Sequence, residues 1–211
     1  MTVLIETVRI RNGRAPLWRL HLERLERSCR DLGLPIPAVP EPIGGDDRVV
    51  RFEIASGTHA PRITERPAGD TTPVKLIIGE EPHPWYPHKT ADREGFELAL
   101  AEARGQGADD AVLLTREGWV AEACIWTLFW WEGERLVTPP LNLGILPGVA
   151  RARIGEIGAG FGERRVVPAD LVGKSLFVAN SVRGIVPVAR LGGKRLAESP
   201  LTAEVAGGFW P

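Results

Sequence analysis

The chain has little of what staples a fold covalently. Its 211 residues include two cysteines, Cys29 and Cys124. They stand far apart and in no metal-ligand spacing, so neither a disulfide framework nor a metal centre is expected. Two free thiols in a reducing compartment are the expectation. No apolar run approaches the roughly 18–20 residues of a membrane-crossing helix. The opening MTVLIETVRIRNG mixes charged with apolar side chains and leads to no cleavage site, so it does not read as a signal peptide. A surplus of one charge is also missing. With 26 basic and 27 acidic residues the net charge is −1, without the basic field that nucleic-acid binding uses. These absences leave a cytoplasmic, enzyme-sized protein acting on small molecules. At this length it can bury roughly 70% of its unfolded surface without help.

Lysine is scarce in a different way. Of the 26 cations only Lys75, Lys89, Lys174 and Lys194 are lysines. Arginine stays charged, whereas a desolvated lysine can lose its proton and act as a base or Schiff-base nucleophile. Lys75 lies in a strand pattern, and Lys174 and Lys194 follow glycines in turns. Lys89 is different. It ends the Pro-rich, aromatic stretch EEPHPWYPHK, at a junction of two halves where clefts form.

The rest of the chain reads as α+β. VLIETVRI, residues 3–10, alternates like a strand, and Asn12-Gly13 signals a tight hairpin turn with APLWRL as the return strand. Leu22, Leu25, Cys29 and Leu32 recur at helical spacing, with Gly33 as the stop. PIPAVPEPIGGDD ends that unit. RVVRFEIAS and TPVKLIIGE read as strands, with THAPRITERPAGDT a loop or hairpin end between them. A helix should follow Thr90 as N-cap. ADDAVLLT, WVAEACIWTLFWW and RLVTPP read as strands, LPGVARARIGEIGAG as a helix, and the chain should close on strand-like pieces. The division expected is a small α/β domain over 1–80, a linker over 81–88 and a second domain over 89–211.

Three further stretches carry chemistry. Glu122 is the one charge in WVAEACIWTLFWW, and a buried carboxylate needs a partner. LPGVARARI starts a helix after Pro-Gly, leaving unpaired amides that suit a phosphate. In ANSVRGIVPV, Asn180 and Ser181 interrupt an apolar run and Arg183 precedes Gly184. An amine, a carboxylate, a phosphate-type helix start and a hydroxyl-bearing turn suggest one ligand, pyridoxal 5'-phosphate.

These stretches, with HLERL, stand in the order HLERL, HKT, EGWVAEACIWTLF, TPPLNLGILPGVAR and ANSVRGIVPV. In that order the chain resembles the fold-type IV pyridoxal phosphate enzymes, the class IV aminotransferases. The resemblance implies a small N-terminal α/β domain and a larger C-terminal β-barrel-like domain with the cofactor between them, in a homodimer. It implies Lys89 as the Schiff-base lysine, Glu122 at the pyridine nitrogen and Arg24 at the phosphate. The main-chain amides of Val149 and Ala150, with Ser181, would hold the phosphate as well. Within the family, IETVR, HLERLERS, HKT and NSVRGIVPV are similar to the 4-amino-4-deoxychorismate lyases. Those enzymes release 4-aminobenzoate and pyruvate on the folate route. Thr7 stands where the lyases carry a threonine thought to help the proton steps, and Arg183 is a candidate for a substrate carboxylate. An amino-acid transaminase of the branched-chain or D-amino acid type, or a non-catalytic protein of the same fold, are the alternatives. Compared with the family pattern the chain starts late, as fused lyase domains do. Thr127 replaces a common asparagine and Ala150 a common threonine.

Overall fold

The computed structural model describes residues 2–45, 47–55, 61–67, 71–158 and 160–211. It is α+β, built on two sheets. The smaller is antiparallel, in the order β1 (Val3–Ile10), β2 (Arg48–Ala55), β3 (Arg62–Pro67). On β1, Leu4, Val8 and Ile10 turn to one face and join Leu25 and Cys29 of helix α1 (Trp18–Asp31) in a core with Val50 and Phe52. This is the period of two in VLIETVRI meeting a helical stripe. The stripe is narrower than its spacing suggests, since Leu32 lies past the helix end and is 39% exposed. Gly33 has φ of 64°, and Leu34 N–H reaches back to Cys29 O at 2.8 Å. That closes the helix with the expected left-handed residue.

The larger sheet uses β4 (Val74–Pro82), β5 (Asp110–Leu114), β6 (Val120–Ala123), β7 (Thr127–Glu132) and β8 (Arg135–Thr138). It is completed by β9 (Phe161–Glu163), β10 (Leu176–Asn180), β11 (Gly184–Leu191) and β12 (Lys194–Arg195). The order is β6-β5-β4-β11-β10-β7-β8-β9, with β12 beside β11. Helix α2 (Glu94–Gly105) packs on β4 and β5 through Phe96, Ala99 and Ala103. Helices α3 (Val149–Glu156) and α4 (Pro200–Gly207) cover the other side, where Ile154 and Phe209 meet Phe129 and Phe177. Because β4 pairs with β5 and β11, the chain enters the larger sheet at Val74, ahead of residues 81–88.

Several local expectations change. Asn12 and Gly13 do form a left-handed turn, at φ of 50° and 72°, but no return strand follows. The chain goes straight into α1 at Trp18. The RITERP part of the expected loop is the edge strand β3, paired to β2 from Arg48↔Pro67 to Glu53↔Arg62. Residues 56–60 and 68–70 beside it lie outside the described residues. Thr90 does not cap α2. The N-cap is Arg93, while Thr90 bridges to Leu4 of β1. WVAEACIWTLFWW is two strands, β6 and β7, not one. RRVVPADLVG contains a single 3-10 turn at Pro168–Leu171, and the chain closes on α4.

Candidate active site

A cavity of about 310 Å³ opens between the two sheets. The small sheet supplies a cross-strand row, Thr7↔Arg51↔Thr64, in which all three residues line the cavity. The large sheet supplies the end of β6 through the start of β7 and the turn between β10 and β11. Arg24 of α1, Lys89, Arg93 and Phe96 near the start of α2, and the start of α3 also line it.

The Lys89 backbone is sewn to β1. Ile5 N–H donates to Lys89 O, and Ala91 N–H to Val3 O, both at 2.8 Å. The residue is half-buried and lines the cavity. Burial, reinforced by the Arg24 and Arg93 guanidiniums, lowers its pKa to about 7 against the pull of Glu6 and Glu122. A large share of such amines is neutral at neutral pH, as a nucleophile or base requires. Of the other lysines, Lys75 and Lys194 are exposed and Lys174 pairs with Glu132 at 2.9 Å. None of the three lines the cavity.

Glu122 is buried at 5% exposure and lines the cavity rather than facing water. His83 Nε2 lies 2.9 Å from its Oε1, and Leu146 N–H donates to the same oxygen at 3.0 Å. Both contacts fall on Oε1, so Oε2 remains for another partner. His83, read from sequence as part of a linker, was not singled out. The available signal was that a carboxylate in an apolar strand needs a donor, and PHPWYPH holds two histidines.

Arg24 also lines the cavity, but it is not alone. Its Nε and Nη2 donate to Glu6 at 2.9 and 2.5 Å, and His21 Nδ1 is 2.6 Å from the same carboxylate. All three are buried. Burial alone would raise the Glu6 carboxyl, yet Arg24 and His21 hold it at about 2. Burial also lowers the His21 pKa. Glu6 thus orients Arg24 by a two-point contact. Glu6 was legible as an acid on the core face of β1 but was not singled out.

Gly148 is the N-cap of α3, and Gly148, Val149 and Ala150 all line the cavity. The first amides of a helix have no carbonyl behind them, so this wall presents donors and the positive end of the helix dipole. Thr127 lies against it. A Cβ on Gly148 would stand 2.8 Å from Thr127 Oγ1. Ser181 Oγ donates to Thr7 O at 3.1 Å, tying the β10–β11 turn to β1. The turn itself is held by Asn180 Oδ1, which accepts from Val182 and Arg183 N–H at 3.0 and 2.8 Å. Arg183 lies over the Trp126 ring, 4.9 Å from its centroid. All eight sequence-predicted positions, Lys89, Thr7, Glu122, Arg24, Val149, Ala150, Ser181 and Arg183, therefore line one cavity. Arg51, Arg66 and Arg93 line it as well and were not foreseen.

Comparison with known proteins defines the class. A family model described as amino-transferase class IV matches residues 54–191. The curated aminodeoxychorismate lyase of Vibrio harveyi is 26% identical over 217 residues, covering 86% of this chain and 80% of the relative. A hypothetical aminotransferase from Mycobacterium tuberculosis, solved in a PLP-bound form, superposes with a TM-score of 0.85. It is 24% identical, over 97% of this chain and 86% of that one. The branched-chain aminotransferase of Thermoproteus uzoniensis, solved with norvaline, gives 0.84 at 22% identity over 99% and 84%. The fold is that of the fold-type IV pyridoxal phosphate enzymes. The chain belongs to the class IV aminotransferase family and is a PLP-dependent enzyme of that family.

Proposed function

We propose that the protein is a lyase converting 4-amino-4-deoxychorismate to 4-aminobenzoate and pyruvate, as a cytoplasmic homodimer on the folate route. The observation that carries the reading is the placement of Thr7. Its strand bears a hydroxyl into the cavity that Lys89 enters, and Lys89 is hydrogen-bonded to that same strand. The likeness to the Vibrio harveyi lyase over most of both chains supports the same choice.

The cavity's donor set fits pyridoxal 5'-phosphate. Lys89 offers an amine with a lowered pKa for the aldehyde, and Glu122 keeps one carboxylate oxygen unused for the ring nitrogen. Arg24, the Val149 and Ala150 amides and Ser181 would hold the phosphate. When bound, the cofactor supplies an electron sink at the carbon bearing the substrate's amine. The chain's residues do the rest. Once the substrate's amine has displaced it, Lys89 Nζ would take the proton from that carbon. Electrons released there complete the aromatic ring as the carbon–oxygen bond to the enolpyruvyl group breaks. Glu122 would keep the cofactor's ring nitrogen protonated through a charge-assisted hydrogen bond. Thr7 Oγ1, with Lys89, returns a proton to the enolpyruvyl methylene, which gives pyruvate. Arg183 would take a substrate carboxylate, in a rim that Arg51 and Arg66 make cationic.

The purified protein with cofactor and aminodeoxychorismate should form 4-aminobenzoate and pyruvate with no keto acid added. Thr7→Val keeps the shape and removes the hydroxyl, and should slow product formation by roughly 10²–10⁴. Amino transfer that depends on a keto acid, with no 4-aminobenzoate, would replace this reading with an amino-acid transaminase.

A further inference from the structure

The cavity has an outer support that neither its motifs nor its family assignment brings out. His83 follows the last residue of β4, where its N–H donates to Leu114 O at 2.7 Å. From there its ring reaches across to β6, two strands away in the sheet, and meets Glu122 Oε1 at 2.9 Å. The His83 side chain is 1% exposed and that of Glu122 is 7% exposed. The imidazole is seated edge-on against Phe96, with ring centroids 5.7 Å apart. His83 does not itself line the cavity.

The chemistry of this contact is one-sided. Leu146 N–H also donates to Oε1. An oxygen between two donors acts as an acceptor, so His83 presents Nε2–H. Two donors on one oxygen also fix the torsion of the carboxylate, because rotation would break both. A freely turning glutamate could offer either oxygen, or neither, to the cavity. A glutamate held in this way offers Oε2 alone.

We infer that His83 is a positioning residue that fixes Glu122 so that Oε2 meets the ring nitrogen of the bound cofactor. The inference rests on the cofactor placement given under Proposed function. A support of this kind aims a charged group at low entropic cost and loses much of its effect when its donor is removed.

The test is a binding measurement on the full-length apoprotein with two probes, pyridoxal 5'-phosphate and its 1-deaza analogue, which has carbon in place of the ring nitrogen. His83→Leu removes the donor but fills space beside Phe96. It should weaken affinity for pyridoxal 5'-phosphate by roughly tenfold, the scale of one hydrogen bond to a charged group. Affinity for the deaza analogue should stay as in the wild type, since that analogue has no nitrogen for Oε2 to meet. His83→Gln can still place an N–H near Oε1 and should recover much of the loss. Equal loss for both probes would reduce His83 to a packing residue, and no loss for either would remove it from the site. Both results overturn the inference while leaving the cofactor reading intact. A wild-type protein that binds neither probe would overturn the cofactor reading itself, and the inference with it.

Discussion

Two titratable side chains, Glu6 and Lys89, shape the protein's response to pH at the residue scale. Glu6 faces the core of the small sheet and survives there because Arg24 and His21 answer its charge. Its folded pKa of about 2 lies below its ordinary 4.5. The stability it contributes is therefore complete above about pH 4.5 and is lost as pH falls from there towards 2. His21, lowered by burial, works in the same sense at higher pH, because an unfolded histidine takes up a proton that the buried one resists. Glu6→Gln should cost about 3–5 kcal/mol by leaving Arg24 buried without its partner, and should flatten the acid limb of a stability–pH curve. A urea titration of that variant showing wild-type stability at pH 7 would mean that the cluster is not holding β1 to α1. Lys89 moves stability with pH in the same direction, but as a penalty rather than a contribution. With a folded pKa of about 7 against an ordinary 10.5, the unfolded chain binds a proton between those values and the folded apoprotein does not. Stability then falls as pH drops through that window, and below pH 7 the penalty is constant. Lys89→Met should stabilise the apoprotein at pH 7, by about 2–3 kcal/mol once solvent in the cavity is allowed for. The gain should vanish above about pH 10.5. An apoprotein that loses stability on this change would show that the amine is not under strain. Glu122→Gln keeps the size of the side chain and should lower turnover strongly with little change in melting temperature. Unchanged turnover would take Glu122 out of the chemistry.

At the scale of elements, the start of α3 is the most exacting. The Gly148 backbone, φ −66° and ψ 143°, is open to any residue, so its glycine answers to space alone. Gly148→Ala would set a methyl 2.8 Å from Thr127 Oγ1 and push the helix start and the hydroxyl apart. Affinity for pyridoxal 5'-phosphate should drop while the melting temperature moves little, and adding Thr127→Ala should restore binding. A double variant no better than Gly148→Ala alone would put the clash elsewhere. The legibility of the elements follows from the range of the interactions that make them. The end of α1 was readable because its stripe and its Gly33 stop are local, and β1 because its alternation is; the start of α1 carries no side-chain cap. The break between β6 and β7 was not. All of WVAEACIWTLFWW is apolar enough to run as one strand, and the turn depends on Asp110, fully buried 14 residues upstream of Cys124. Asp110 accepts from the N–H groups of Cys124 and Ile125, both at 3.1 Å. α4 was missed for another reason. Its sequence has a weak polar face and ends in Gly207-Gly208, yet Ser199 accepts from Leu201 N–H, Pro200 stands in the first turn and Phe209 is fully buried. The Ser-Pro start was the readable sign.

For the whole molecule, the two sheets matter because neither holds the site alone. Thr7, Arg51 and Arg24 come from the small sheet and its helix, and Glu122, Val149 and Ser181 from the larger body. Motifs in family order gave the cast. Their convergence depends on β1 pairing with the backbone of Lys89, a contact between residues far apart in the chain. The placement of His83 was hidden for the same reason. The central claim is that this shared cavity carries its cofactor on Lys89. Borohydride reduction of the cofactor-loaded protein, followed by peptide mapping, tests it most directly. The stable pyridoxyl label should fall on the peptide containing Lys89 and on no other. Label on Lys75, Lys174 or Lys194, or a loaded protein that takes no label, would contradict it.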